Sequence, residues 1–115
     1  MKLGFAVEAS CGDARAGAVT LPRGSFQTPV FMPVGTRATV RALTVDQLEM
    51  LGAQIILGNT YHLMLQPGIE LFQRFGGIHR WMGWNHPVLT DSGGFQLFSL
   101  AQRVTISEEG AALQA

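Results

Sequence analysis

Thr90-Asp91-Ser92-Gly93-Gly94-Phe95-Gln96 sets a carboxylate beside two adjacent glycines and an aromatic ring. Asp91 can take up or release a proton, and the glycines allow backbone N–H groups to approach a ligand closely. Phe95 offers a flat face, so the group suits a planar heterocycle. From spacing alone, a plain turn closed by an Asx-type hydrogen bond is supported equally well. A phosphate cradle is a weaker reading, because neither the G-x-x-x-x-G-K-[ST] pattern nor the Rossmann glycine spacing is present.

A second segment, Gly58-Asn59-Thr60-Tyr61-His62-Leu63, also follows an apolar run. Asn59 is therefore expected on the same rim as Asp91, where its amide can hold a carboxylate or a ligand. His62, between Tyr61 and Leu63, reads as a structural hydrogen-bonder and is assigned no catalysis. His79 and His86 lack the spacing of a zinc site, and the single cysteine, Cys11, cannot complete one. Trp81 and Trp84 are able to stack RNA bases, but an apolar segment leading into a strand favours packing. Arg37 and Arg41 can meet phosphate, although most such arginines are solvated surface residues.

These residues need elements to hold them. Leu3 to Glu8 and Ala14 to Leu21, separated by Cys11-Gly12-Asp13, predict an antiparallel hairpin. Pro22-Arg23-Gly24-Ser25 breaks the chain, and Thr28 to Gly35 reads as a short buried strand bracketed by prolines. Thr44-Val45-Asp46-Gln47 has the form of a capping box opening a helix from about Val45 to Leu51, with Gly52 as its stop. Ala53 to Gly58 is a continuous, β-branched apolar run, as in a strand covered on both faces. Pro67 marks the start of a second helix that Gly76-Gly77 ends, and after an aromatic loop Pro87 to Thr90 forms a third strand. Val104 to Ala115 reads as a further small hairpin or a frayed end.

Strand, helix, strand, helix, strand calls for parallel strands and an α/β sheet or barrel. Three strands do not close a barrel, and a complete eight-stranded one takes about 250 residues. The chain is therefore expected to be one incomplete domain over 1–115, with a β-hairpin region at 1–24 and the first βα units at 25–115. At 47% hydrophobic and 14% charged over 115 residues, it has the composition of a globular domain. Eight Lys+Arg balance eight Asp+Glu, which excludes the strongly basic footprint of a self-sufficient nucleic-acid binder. No signal peptide and no apolar stretch long enough for a membrane span is read, and the expected location is cytoplasmic.

Three blocks, Phe31 to Thr36, Gly52 to Leu63 and Leu89 to Gln96, resemble the tRNA-guanine transglycosylases, or queuine/preQ1 tRNA-ribosyltransferases. Gln96-Leu97-Phe98-Ser99-Leu100 is similar to the bacterial branch in particular. The resemblance runs from about Gly12 to Gly110. It departs at Gln66, where the family commonly has arginine, and at Ala111 to Ala115, a weak match to the usual strand.

The resemblance implies an α/β barrel, a (β/α)8 TIM barrel, of which this chain is the N-terminal portion preceded by a β-hairpin. It also implies a reaction: a pentosyltransferase exchanging the wobble guanine of GUN anticodons in tRNA for a 7-deazaguanine, preQ1 or queuine, in queuosine biosynthesis. That exchange runs through a covalent ribosyl–enzyme intermediate. Carried over residue by residue, Asp91 is the general acid/base, the proton acceptor, while Ser92, Gly93, Gly94 and Phe95 line the base pocket and Asn59 orients Asp91. The nucleophile and the ligands of the family's zinc are implied beyond Ala115, with no metal bound by this chain. A homodimer is implied for the full-length enzyme, and the isolated chain is expected to be inactive. The alternative is a non-catalytic partial-barrel module or partner subunit.

Overall fold

Residues 2–114 are described by a computed structural model. The expected unit 1–115 begins and ends on Met1 and Ala115, which lie outside the described residues. The structure is a mixed α/β arrangement of small sheets and short helices.

The N-terminal sheet has three antiparallel strands, β1 (Gly4–Cys11), β2 (Ala14–Leu21) and β3 (Gly24–Thr28), in the order β1-β2-β3. The predicted hairpin is present, with Cys11 paired to Ala14 across the turn. The expected break at Pro22 to Ser25 is instead a second tight turn, and Gly24 pairs with Leu21 at the start of β3. The sheet thus continues past the hairpin region expected at 1–24 and ends at Thr28. Gly17 in the middle strand is fixed by space: a Cβ there would sit 2.5 Å from the Ala6 carbonyl and 2.9 Å from the Phe5 ring.

The expected strand from Thr28 to Gly35 shrinks to one parallel bridge, Val34 to Leu57. It is held by Gly35 N–H to Leu57 O at 2.7 Å and Leu57 N–H to Pro33 O at 3.0 Å. Prolines at 29 and 33 remove ladder donors, which limits the pairing. Phe31 is 82% exposed, so this stretch is not buried as expected. Helix α1 (Val45–Met50) carries the full capping box: Thr44 Oγ1 accepts from Gln47 N–H at 3.2 Å, and Gln47 Oε1 accepts from Thr44 N–H at 2.9 Å.

Strand β4 (Ile56–Gly58) pairs in parallel with β5 (Val88–Thr90), with Ile56 opposite Val88 and Gly58 opposite Thr90. With the Val34 bridge on its other side, β4 is flanked on both edges. The chain between β4 and β5 is helical almost throughout. Helix α2 (Thr60–Leu63) runs into a wide turn over Met64–Gly68, α3 (Ile69–Phe75) follows, and α4 (Ile78–Met82) precedes β5. Helix thus begins earlier than Pro67, and the aromatic loop contains a helix. Gln66 leaves helical geometry at φ −156°, ψ 119°, as the residue before a proline tends to do.

Leu48, Ile56 and Trp84 form the core of this part, with Val40, Val45, Ala53, Met82 and Val88 packed around them. Trp84 is fully buried, its Nε1–H donating to the Pro87 carbonyl at 3.0 Å. Trp81 meets Phe75 edge-on at 4.8 Å. Both tryptophans therefore pack within the protein. Helix α5 (Gly94–Ser99) follows β5, and the chain closes with an antiparallel hairpin of β6 (Val104–Ser107) and β7 (Gly110–Leu113). Among the described residues no helix is long and apolar enough to cross a membrane.

Candidate active site

Two strands ending side by side bring the chemistry together. β4 and β5 run in parallel, so the residues that follow them, Asn59 and Asp91, emerge on one rim. The main chain continues the pairing one step further, with Asp91 N–H donating to Gly58 O at 3.2 Å. Asn59 Nδ2 donates to Asp91 Oδ2 at 3.0 Å, and Thr60 N–H donates to Asp91 Oδ1 at 2.7 Å. The Thr60 hydroxyl donates to the Asp91 carbonyl.

Helix α2 explains part of this geometry. Its first amides have no partner within the helix, and Asn59, at the N-cap position, makes no side-chain cap bond. Its amide is spent on Asp91 instead, and Asp91 supplies from the neighbouring strand the acceptor that Thr60 N–H needs. The principal bonds of Asp91 thus reach residues 31 and 32 positions away in sequence, which is more than a local turn requires. A Gly93 N–H adds a smaller, local contribution.

Hydrogen bonding from Asn59, then from the Thr60 backbone, holds the Asp91 carboxyl below the usual carboxylate range, against a smaller opposing effect of burial. A carboxyl whose folded pKa is depressed stabilises the fold above its unfolded pKa, and that contribution fades as pH falls through the lowered folded value. Asp91 is therefore ionised at neutral pH. Asn59→Ala, which removes the leading cause, is expected to raise the Asp91 titration midpoint toward the ordinary carboxylate value. Carboxyl-carbon NMR titration of the longest natural chain carrying these residues checks this, and an unmoved midpoint would show that Asn59 does not govern the charge.

Gly93 turns the chain from β5 into α5 with φ +71°, a left-handed conformation that glycine adopts without penalty. The Ser92 hydroxyl accepts from Gly94 N–H at 3.3 Å. Phe95 stands 75% exposed at the start of α5, its ring available for a flat ligand. Of the sequence-predicted residues, Asn59 and Asp91 meet on one rim, and Ser92, Gly93, Gly94 and Phe95 follow Asp91 through the turn into α5. Thr60 was missed, because placing the helix start at Pro67 hid the free amide that precedes it.

Two of the histidines have partners of their own. His62 packs edge-on to Tyr61 at 5.6 Å, and His86 Nε2 lies 3.2 Å from Glu49 Oε1. Burial, with the Arg23 charge adding to it, holds the His79 imidazole below its ordinary pKa. Among the described residues, no three His, Cys, Asp or Glu side chains converge where they could hold a metal ion.

The family model for queuine tRNA-ribosyltransferase matches residues 10–115. Similar proteins, each called queuine tRNA-ribosyltransferase, include one from Desulfosudis oleivorans, 57% identical over 112 residues and 96% of this chain. Another, from Novosphingobium aromaticivorans, is 54% identical over 95% of the chain, and one from Brucella suis is 58% identical over 93%. The chain spans 29%, 29% and 28% of the length of these relatives, respectively.

Proposed function

The chain belongs to the queuine tRNA-ribosyltransferase family, and on that premise we propose that the protein carrying it exchanges a guanine in tRNA for a 7-deazaguanine base. The exchanged guanine is the wobble base of GUN anticodons, and preQ1 or queuine replaces it, in queuosine biosynthesis. The observation that carries the reading is the ionised Asp91 carboxylate, tethered by Asn59 and Thr60, with the exposed Phe95 ring four residues further along the chain.

Base exchange at ribose C1′ through a covalent sugar–enzyme intermediate needs one carboxylate to attack and a second group to manage the base's proton. Asp91 takes the second role. The incoming base must lose its ring-nitrogen proton as that nitrogen bonds to C1′ and displaces the enzyme carboxylate, and an ionised Asp91 accepts it. The outgoing guanine takes up a proton drawn from solvent as its bond to C1′ breaks, and the proton that Asp91 accepts from the incoming base returns to solvent, which closes the cycle. Ser92, Gly93 and Gly94 line the base pocket, and Phe95 stacks on the purine. The attacking carboxylate comes from residues outside 1–115.

We read the fold as the opening of a (β/α)8 barrel preceded by the N-terminal sheet. The parallel series Val34, β4, β5 with helices between supports this, as does the position of Asn59 and Asp91 after the strands' C-terminal ends, where such barrels keep their sites. Zinc is expected in the family, but the described residues do not assemble a ligand set for it, so we assign it to residues outside 1–115 and route no step through it. The complete protein is proposed to work in the cytoplasm as a homodimer.

The test is incorporation of labelled guanine into tRNA by the longest natural chain, with residues 1–115 assayed alongside. Exchange by the long chain alone is the expected result. Its absence from the long chain would sink the reading in favour of a non-catalytic module.

A further inference from the structure

Gln96 is the one polar residue counted as buried among the described residues, at 9% exposure. Its Oε1 is shielded and has no hydrogen-bond donor among them. An amide oxygen left in that condition costs stability unless a donor meets it.

The residue occupies the third position of α5, counted from Gly93 as its cap. A glutamine there ordinarily reaches back to the cap's own N–H, as Gln47 does to Thr44 in α1 at 2.9 Å. Gln96 makes no such bond, and the Gly93 N–H is turned toward Asp91. Gln96 Oε1 nonetheless stays beside the turn, 3.9 Å from where a Cβ on Gly93 would sit. The other side-chain acceptors nearby are engaged within the protein: both Asp91 oxygens by Asn59 and Thr60, and Ser92 Oγ by Gly94 N–H. One buried acceptor therefore stays unmatched beside Gly93, a residue read above as lining the base pocket.

We propose that Gln96 is a substrate-binding residue whose side-chain carbonyl accepts a hydrogen bond from the bound nucleoside, from either its exocyclic amine or its ribose 2′-hydroxyl. The inference rests on the nucleoside-exchange reading above. Both groups are neutral donors that match a neutral, shielded acceptor. The amide oxygen has no protein bond to break when the donor arrives, so only the packing over it must yield.

The experiment measures exchange kinetics of the longest natural chain, wild type against Gln96→Met, which keeps length and removes the acceptor. Substrates are tRNA transcripts carrying guanosine, inosine or 2′-deoxyguanosine at the exchanged position. Gln96→Met is expected to lower kcat/KM on guanosine by about tenfold, mainly through KM, with the melting temperature preserved. Wild type loses a similar factor on the transcript that lacks the bonded donor, and Gln96→Met loses nothing further on that transcript. Inosine identifies the amine and 2′-deoxyguanosine the hydroxyl.

The inference is overturned if Gln96→Met and wild type suffer equally on both altered transcripts. It is also overturned if the variant melts several degrees lower with unchanged kinetics, since Gln96 would then bond to the protein itself. Either result leaves the exchange reading standing, whereas a wild-type chain that does not exchange guanine removes both.

Discussion

Asp91→Asn in the longest natural chain is expected to abolish guanine exchange, with a fall of about 10²- to 10⁴-fold, the usual contribution of a positioned acid/base group. The substitution is close to isosteric. An asparagine carbonyl can still accept from Thr60 N–H, and the Asn59 amide can rotate to face the new NH₂, so the rim keeps its shape. What disappears is the ability to hold a proton. Labelled-guanine incorporation, read beside circular dichroism and melting of the same sample, separates lost chemistry from lost structure. A folded variant that works at the wild-type rate would make Asp91 a structural clamp between β4 and β5 and nothing more.

Trp84→Ala is expected to cost about 3–5 kcal/mol of stability, the range for emptying a large aromatic site. Trp84 is fully buried against Leu48 and Ile56 and bonds the Pro87 carbonyl. Truncation leaves both a cavity and an acceptor without its donor. Trp84→Phe keeps most of the volume and loses only the bond, so it should cost about 1–3 kcal/mol. Chemical denaturation of the longest natural chain checks the order. Equal, small losses in both variants would show that Trp84 does not carry the core. Pro87 leads directly into β5, so the alanine variant should also lose exchange in proportion to its unfolded fraction.

What could be read beforehand depended on whether the cause was local. The capping box at Thr44 and Gln47 is a contact three residues long, and it appears as expected. Ala53 to Gly58 is an apolar run holding the β-branched Ile55 and Ile56, and β4 takes up its last three residues. Gly24 and Ser25 have turn chemistry, yet Gly24–Thr28 is a strand because β2 offers it an edge, which only the folded sheet reveals. Ile78–Met82 was hidden by its brevity between two glycines, where His79 and Trp81, with Trp84 and His86 just beyond, invited the reading of a loop. Asn59 and Asp91 were legible because each directly follows a strand. Thr60 was not, because its bond to Asp91 depends on a helix start that Pro67 obscured. Gln96 was visible as a residue, but its unmatched oxygen is a fact of packing.

The bonds from Asn59 and Thr60 to Asp91 join the exits of two strands whose only ladder is three residues long. The buried Ile56 resists slippage, and an in-phase slip of two residues would shift Asp91 by about 6.6 Å along the strand. Neither donor could then reach it. An out-of-step sheet would leave the carboxylate unbonded and the Thr60 amide bare, so these bonds favour the native register. The same atoms that would recognise a correct base therefore first recognise a correctly assembled sheet.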